Sequence, residues 1–161
     1  MRVVEASVKT YLFTLQIETR TSPEFVDITD RVEESLRESG VEHGIAVVYS
    51  KHTTAAVIIQ ENEPLLLIDL ANALERMSPS SGHYRHNDFS VRTVHMHEDE
   101  CPNGHSHCQH LVLGSSETIP VVDGRLPLGE FQRIFLVELD AEKASRVDKH
   151  HREVLVQIMG A

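Results

Sequence analysis

The succession of strand-like and helix-like segments predicts an α+β fold. It pairs a mostly antiparallel sheet, two-layered or sandwich-like, with helices packed on one side. Three observations lead there. The segments come in blocks, strands then helix, without the regular βα alternation of a doubly wound parallel sheet. The β-branched runs are short and bounded by turn residues. A chain of 161 residues, 40% of them hydrophobic, matches a single domain (residues 1–161) around one core.

Residues 7–18 alternate, with Tyr11, Phe13, Leu15 and Ile17 on one face, and read as a long half-buried strand. Residues 27–38 carry Ile28, Val32 and Leu36 at helical spacing, with Asp27 or Thr29 as N-cap and Gly40 as the stop. Residues 44–49 and 54–59 are β-branched runs joined through Ser50-Lys51-His52-Thr53 at a tight turn or kink. Pro64 opens a helix through Leu65, Leu66, Ile68, Leu70 and Leu74 to Arg76, closed by Pro79 and Gly82. Residues 78–104 are polar and read as loop with a short strand at 89–94; a structured loop of that length usually has a function. Residues 105–113, 118–122, 133–140 and 153–159 read as strands, with Asp123-Gly124 and Leu128-Gly129 as turns.

The charge balance, 15 Lys and Arg against 25 Asp and Glu, gives −10 and disfavours broad capture of nucleic acid or anionic lipid. An anionic ligand therefore needs a local cation. No apolar run reaches the ~18 residues of a membrane span. Met1-Arg2-Val3-Val4-Glu5 lacks the order of a signal peptide, so a cytoplasmic location is the default expectation. Cys101 and Cys108 cannot make a disulfide framework and read as reduced thiols. The nucleotide-binding G-x-x-x-x-G-K-[ST] and G-x-G-x-x-G motifs and the hydrolase G-x-S-x-G are absent.

Histidine is the unusual entry: 11 are present, seven of them from His83 to His110. If residues 105–113 are extended, the period of two sends His105 and His107 to one face, placed to share a metal, and Cys108 and His110 to the other. Zn²⁺ needs three or four donors, and His86 is the first candidate for a third. The plainer alternative is that these imidazoles hydrogen-bond within a polar rim. His95 and His97 make a second such pair among acidic neighbours, which suggests a solvated loop. His52, at a turn beside two hydroxyls, has the chemistry of a general base or ligand. Glu61-Asn62-Glu63 can cap the following helix or bind a cation. Along an extended chain Glu61 lies about 30 Å from His52. Asp69 interrupts an apolar helix, and Glu138 falls in phase with Ile134 and Leu136, where a carboxylate requires a partner or a raised pKa. Arg85, Arg125 and Arg133 are the cations best placed for a phosphate.

The ordered set His52-Thr53-Thr54-Ala55, Glu61-Asn62, Tyr84-Arg85-His86-Asn87, Asn103 with His105 and His107, and Gly124-Arg125-Leu126-Pro127-Leu128-Gly129 resembles the YjbQ-like family. That family is also described as secondary thiamine-phosphate synthases. The resemblance runs over nearly the whole chain; Glu130 and Phe131 depart from it, standing where a Thr or Met and a Trp are usual.

It implies a homotrimer of α+β subunits with a His-rich, metal-binding pocket near the subunit boundaries. His86, His105 and His107 would be the metal ligands, for Zn²⁺ ahead of Mg²⁺, Mn²⁺ or Ca²⁺, and His52, Glu61, Asp69 and Glu138 the catalytic groups. The implied activity is a weak joining of a pyrimidine-methyl diphosphate to a thiazole phosphate. Two other readings use the same residues: a metal-assisted hydrolase of a small phosphorylated compound, and a non-catalytic metal-binding trimer.

Overall fold

The computed structural model describes residues 7–140 and 150–161. In chain order it contains β1 (Lys9–Thr19), β2 (Glu24–Asp27), α1 (Thr29–Ser39), β3 (Gly44–Ser50), β4 (Ala55–Glu61), α2 (Pro64–Met77), a 3-10 turn (Arg85–Asn87), α3 (Gly104–Leu113), β5 (Ser116–Val121), β6 (Gln132–Glu138) and β7 (His150–Gly160). The strands form a larger sheet of order β1-β7-β3-β5 and a smaller one of order β2-β6-β4. Every strand pairing among the described residues is antiparallel.

Alternation along the strands builds a sandwich. Leu15, Ile17, Ala46, Val48, Ile119, Val154, Val156 and Ile158 of the larger sheet meet Ala55, Val57, Ile134 and Leu136 of the smaller one, and Val32 and Leu36 of α1 join the same core. On the outer face of the smaller sheet, Ala56, Phe135 and Val137 pack with Leu67 and Leu74 of α2 and Leu113 of α3. The outer face of the larger sheet leaves Leu12, Ile45 and Tyr49 exposed. No helix among the described residues is long and apolar enough to cross a membrane.

The helix ends follow their local chemistry. Gly40 closes α1 in the left-handed conformation (φ 66°). The N-cap of α1 is Ile28, not Asp27 or Thr29; Asp27, one residue ahead of it, accepts through Oδ1 from the N–H and hydroxyl of Thr29 at 3.0 and 2.7 Å. Pro64 starts α2, and Glu63 caps it by accepting from the N–H groups of Leu65 and Leu66. One glycine pair is obligatory on steric grounds. Gly44 faces Gly160 across β3 and β7, and a Cβ on Gly44 would lie 1.9 Å from the Met159 carbonyl oxygen.

Two expectations are corrected. Residues 105–113 are helix, not strand. The buried side of α3 is polar: Ser106 Oγ donates to the Leu139 carbonyl at 2.5 Å, and Gln109 Nε2 donates to the carbonyls of Leu74 and Ser78. Leu111 and Val112 are exposed, so hydrophobic periodicity carries no helical signal there. Residues 89–94 form no strand, because Asp88 Oδ1 accepts from the N–H and hydroxyl of Ser90 and turns the chain. Strands β3 and β4 belong to different sheets, so residues 51–54 carry the chain from one layer to the other.

Candidate functional site

At one end of the sandwich the crossover 51–54, the end of β6, the start of β7, the 3-10 turn, residues 92–100 and the first turns of α3 surround a cavity of about 900 Å³. Beneath it lies a buried ion pair between the two sheets. Arg152 of β7 donates from Nε to Glu138 Oε2 at 2.6 Å and from Nη2 to Glu138 Oε1 at 2.5 Å. Glu138 also accepts from the Thr19 hydroxyl and from the N–H groups of Leu139 and Asp140, and Arg152 reaches Thr54 Oγ1 at 3.0 Å. Glu138 is fully buried and Arg152 nearly so, which makes this the bidentate, many-partnered geometry a desolvated ion pair requires.

Asp140, also buried, accepts from Asn103 Nδ2 at 2.8 Å and lies 3.8 Å from the Cys101 sulfur. Across the 3-10 turn and α3, the rings of His86 and His107 meet edge to face with centroids 4.6 Å apart. Burial pushes the His107 imidazole below its ordinary pKa, and His86 adds to that; Asp140 opposes it. A lowered pKa keeps the His107 imidazole neutral at physiological pH. His52 Nε2 accepts from the Glu153 N–H at 2.9 Å, which places the proton of its neutral ring on Nδ1. Burial also lowers the pKa of His110, against a hydrogen bond to the His52 carbonyl.

These two depressed imidazoles make stability pH-dependent. Unfolded, they titrate near 6.5. Their contribution is complete above that pH and is lost as pH falls through the folded values, because the unfolded chain then binds more protons. Thermal unfolding should show a lower Tm at pH 5.5 than at pH 7.5. The double variant His107→Gln/His110→Gln should flatten the dependence, and an unchanged slope in that variant would reject the assignment.

The cations differ in availability. Lys51 pairs with Glu153, Arg92 with Glu100 and Arg152 with Glu138. Arg85, exposed on the 3-10 turn, is the cavity-lining cation whose side chain makes no ion pair or hydrogen bond among the described residues.

Of the residues expected from sequence, His52, Arg85, His86 and His107 line this cavity, and Glu138 lies under it. His105 does not join them. Two residues apart on a helix means about 200° of rotation; the His105 ring turns toward Tyr84, with its Nδ1 buried and without a hydrogen-bond partner among the described residues. The three-imidazole set His86, His105 and His107 is thus not assembled. Among the described residues no three His, Cys, Asp or Glu side chains are grouped to hold a metal ion, and the fit to a cation ends at two imidazoles.

Asp69 is exposed on α2. Glu61 and Arg133 lie at the far ends of β4 and β6, where Arg133 is held by Asp27 and Asp30 at 2.7 and 2.9 Å. Arg125 borders a separate cleft with Glu33 and Arg37. Sequence reasoning missed Lys51, Arg92, Glu100, Asp140 and Arg152 as cavity residues; His95, read there as part of a solvated loop, and Asn103, quoted in the family set, also line the cavity. For Arg152 a signal existed, since it stands in phase with Val154, Val156 and Ile158 on an inward strand face.

Comparison with known proteins places the chain among relatives of similar length. A family model described as UPF0047 protein YjbQ-like matches residues 13–161. A UPF0047 protein of Methanothermobacter thermautotrophicus is 37% identical over 138 residues, covering 84% of this chain and 89% of its own length. Another, from Methanocaldococcus jannaschii, is 34% identical over 150 residues, 92% of this chain and 94% of its own. The crystal structure of a YbjQ-like protein of unknown function from Sulfolobus solfataricus P2 superposes with a TM-score of 0.82 at 31% identity, covering 96% of this chain and 100% of that one. A hypothetical protein from Aeropyrum pernix K1 gives 0.79 at 33% identity, covering 94% and 99%.

Proposed function

The chain belongs to the UPF0047 YjbQ-like family, and from that premise we propose that its cavity is an enzyme site for a small phosphorylated molecule. The observation that carries the reading is that one cavity is lined by both an uncommitted guanidinium, Arg85, and the neutral imidazole of His107. Arg85 would neutralise the phosphate, which a chain of net charge −10 does not otherwise attract. Where the nucleophile carries a proton, as an attacking water does, His107 would accept it. A divalent cation, Zn²⁺ ahead of Mn²⁺, Mg²⁺ or Ca²⁺, finds no more than the two imidazoles of His86 and His107 among the described residues; held there it would supply charge neutralisation in place of the base role of His107, whose neutral ring has one lone pair to give.

Within this reading the finer activity is weak thiamine-phosphate synthesis. A bond forms between the pyrimidine methylene carbon and the thiazole nitrogen, and diphosphate leaves with the electron pair of the broken C–O bond. A cavity of about 900 Å³ supports the binding of two such partners together. The base role of His107 supports a second reading, attack of water on a phosphate ester. Release of diphosphate from the mixed substrates, against release of phosphate from an ester panel, separates the two.

Calorimetry with inorganic phosphate tests the shared premise. Arg85→Ala should weaken binding about tenfold or more; unchanged affinity would overturn the proposal. The exposed apolar side chains Leu12, Ile45 and Tyr49 support a homotrimer built through the larger sheet, and sedimentation at the mass of one chain would refute that part.

A further inference from the structure

Residues 92–100 form a loop closed by one side chain. Arg92 donates from Nη1 to Glu100 Oε2 at 2.9 Å and from Nη2 to the His95 carbonyl at 3.2 Å. The Arg92–Glu100 pair is largely withdrawn from water, with side-chain exposures of 15% and 17%. Arg92, Val94, His95 and Glu100 all line the cavity, so the loop is a built wall of the site.

His95 stands at the bend with φ 53°. In that left-handed region the Cβ crowds the following carbonyl, and glycine is the residue that fits without cost. Here an imidazole occupies the position, and Arg92 holds its carbonyl in place. Backbone strain maintained on a cavity wall points to a side chain whose chemistry the site uses.

Of the other cavity imidazoles, His52 accepts from the Glu153 N–H, and His86 and His107 pack edge to face against each other. The His95 ring makes no hydrogen bond or ion pair among the described residues. Exposed, and packed against no other cavity imidazole, its ring is like Arg85 a hydrogen-bonding group without a commitment among the described residues.

We infer that His95 contacts the bound phosphorylated molecule, its ring N–H donating to a phosphate oxygen beside Arg85, and so helps to decide which ligands the cavity takes. This rests on the phosphate-site reading above.

The test compares His95→Gly with His95→Ala in the full chain, using inorganic phosphate in calorimetry and Tm as the parallel readout. Glycine relieves the backbone and alanine keeps the strain, while both remove the ring. Both variants should bind phosphate about fivefold more weakly or worse, with the Tm of the glycine variant equal to or above that of the parent. Parental affinity in the glycine variant would overturn the inference, since the position would then matter only through its backbone. A fall in Tm in that variant would overturn the strain argument. Arg85→Ala separates the two levels: if it leaves phosphate binding intact, the phosphate-site reading fails; if it weakens binding while both His95 variants do not, only the role of His95 fails.

Discussion

Replacing Glu138 by Gln should lower the unfolding free energy by about 3–5 kcal/mol, the range for removing one partner of a buried ion pair. The amide preserves the shape, but the nearly buried Arg152 loses its counter-charge, and because Gln offers a single acceptor oxygen one of the two charge-assisted hydrogen bonds at 2.5 and 2.6 Å is replaced by a contact between two donors. Urea titration measures the loss through the midpoint. The apolar pair Glu138→Leu/Arg152→Met removes both charges and should regain part of the stability. Full recovery is not expected, because the N–H of Asp140 and the hydroxyl of Thr19 lose their acceptor. A loss under about 1 kcal/mol for the single variant would show that the pair is far better solvated than its burial indicates.

The second large effect comes from one methyl group. Gly44→Ala would set a Cβ 1.9 Å from the Met159 carbonyl oxygen and 2.8 Å from the Gly160 Cα, both backbone atoms that no rotamer change moves aside. The strand must shift or the β3–β7 pairing must open, at a cost of about 3 kcal/mol or more. Gly40→Ala is the control. Its Cβ meets nothing within 4 Å, so only the left-handed conformation opposes it, at about 1–2 kcal/mol. Equal midpoints for the two variants would contradict the steric account.

Both sites rest on elements that differed in how clearly the sequence announced them. Strands β1, β3 and β7 show their inward faces by alternation, Pro64 and Gly40 mark helix ends by backbone chemistry alone, and these features match the coordinates closely. Helix α3 was hidden because Ser106 and Gln109 attach it through hydrogen bonds to carbonyls that lie far away in sequence. Misreading that one element put His105 beside His107. Their true separation on the helix leaves His86 as the partner of His107, a contact that depends on the loop path between residues 78 and 103. His52, Arg85 and His86 could be picked out as chemistry-bearing residues at breaks in regular structure. The commitments of Lys51, Arg92 and Arg152 to carboxylates are tertiary facts, and they distinguish Arg85 from the rest.

The bond from Arg152 to Glu138 also has a mechanical meaning. The guanidinium belongs to one β-layer and the carboxylate to the other, and they are riveted directly below the mouth. Sliding of the layers would have to break that rivet, so the floor of the aperture inherits the stiffness of the interior. Any adjustment to the size of an incoming molecule is then left to the rim formed by residues 92–100, which belongs to neither sheet and is tied by Arg92 and Glu100 to itself.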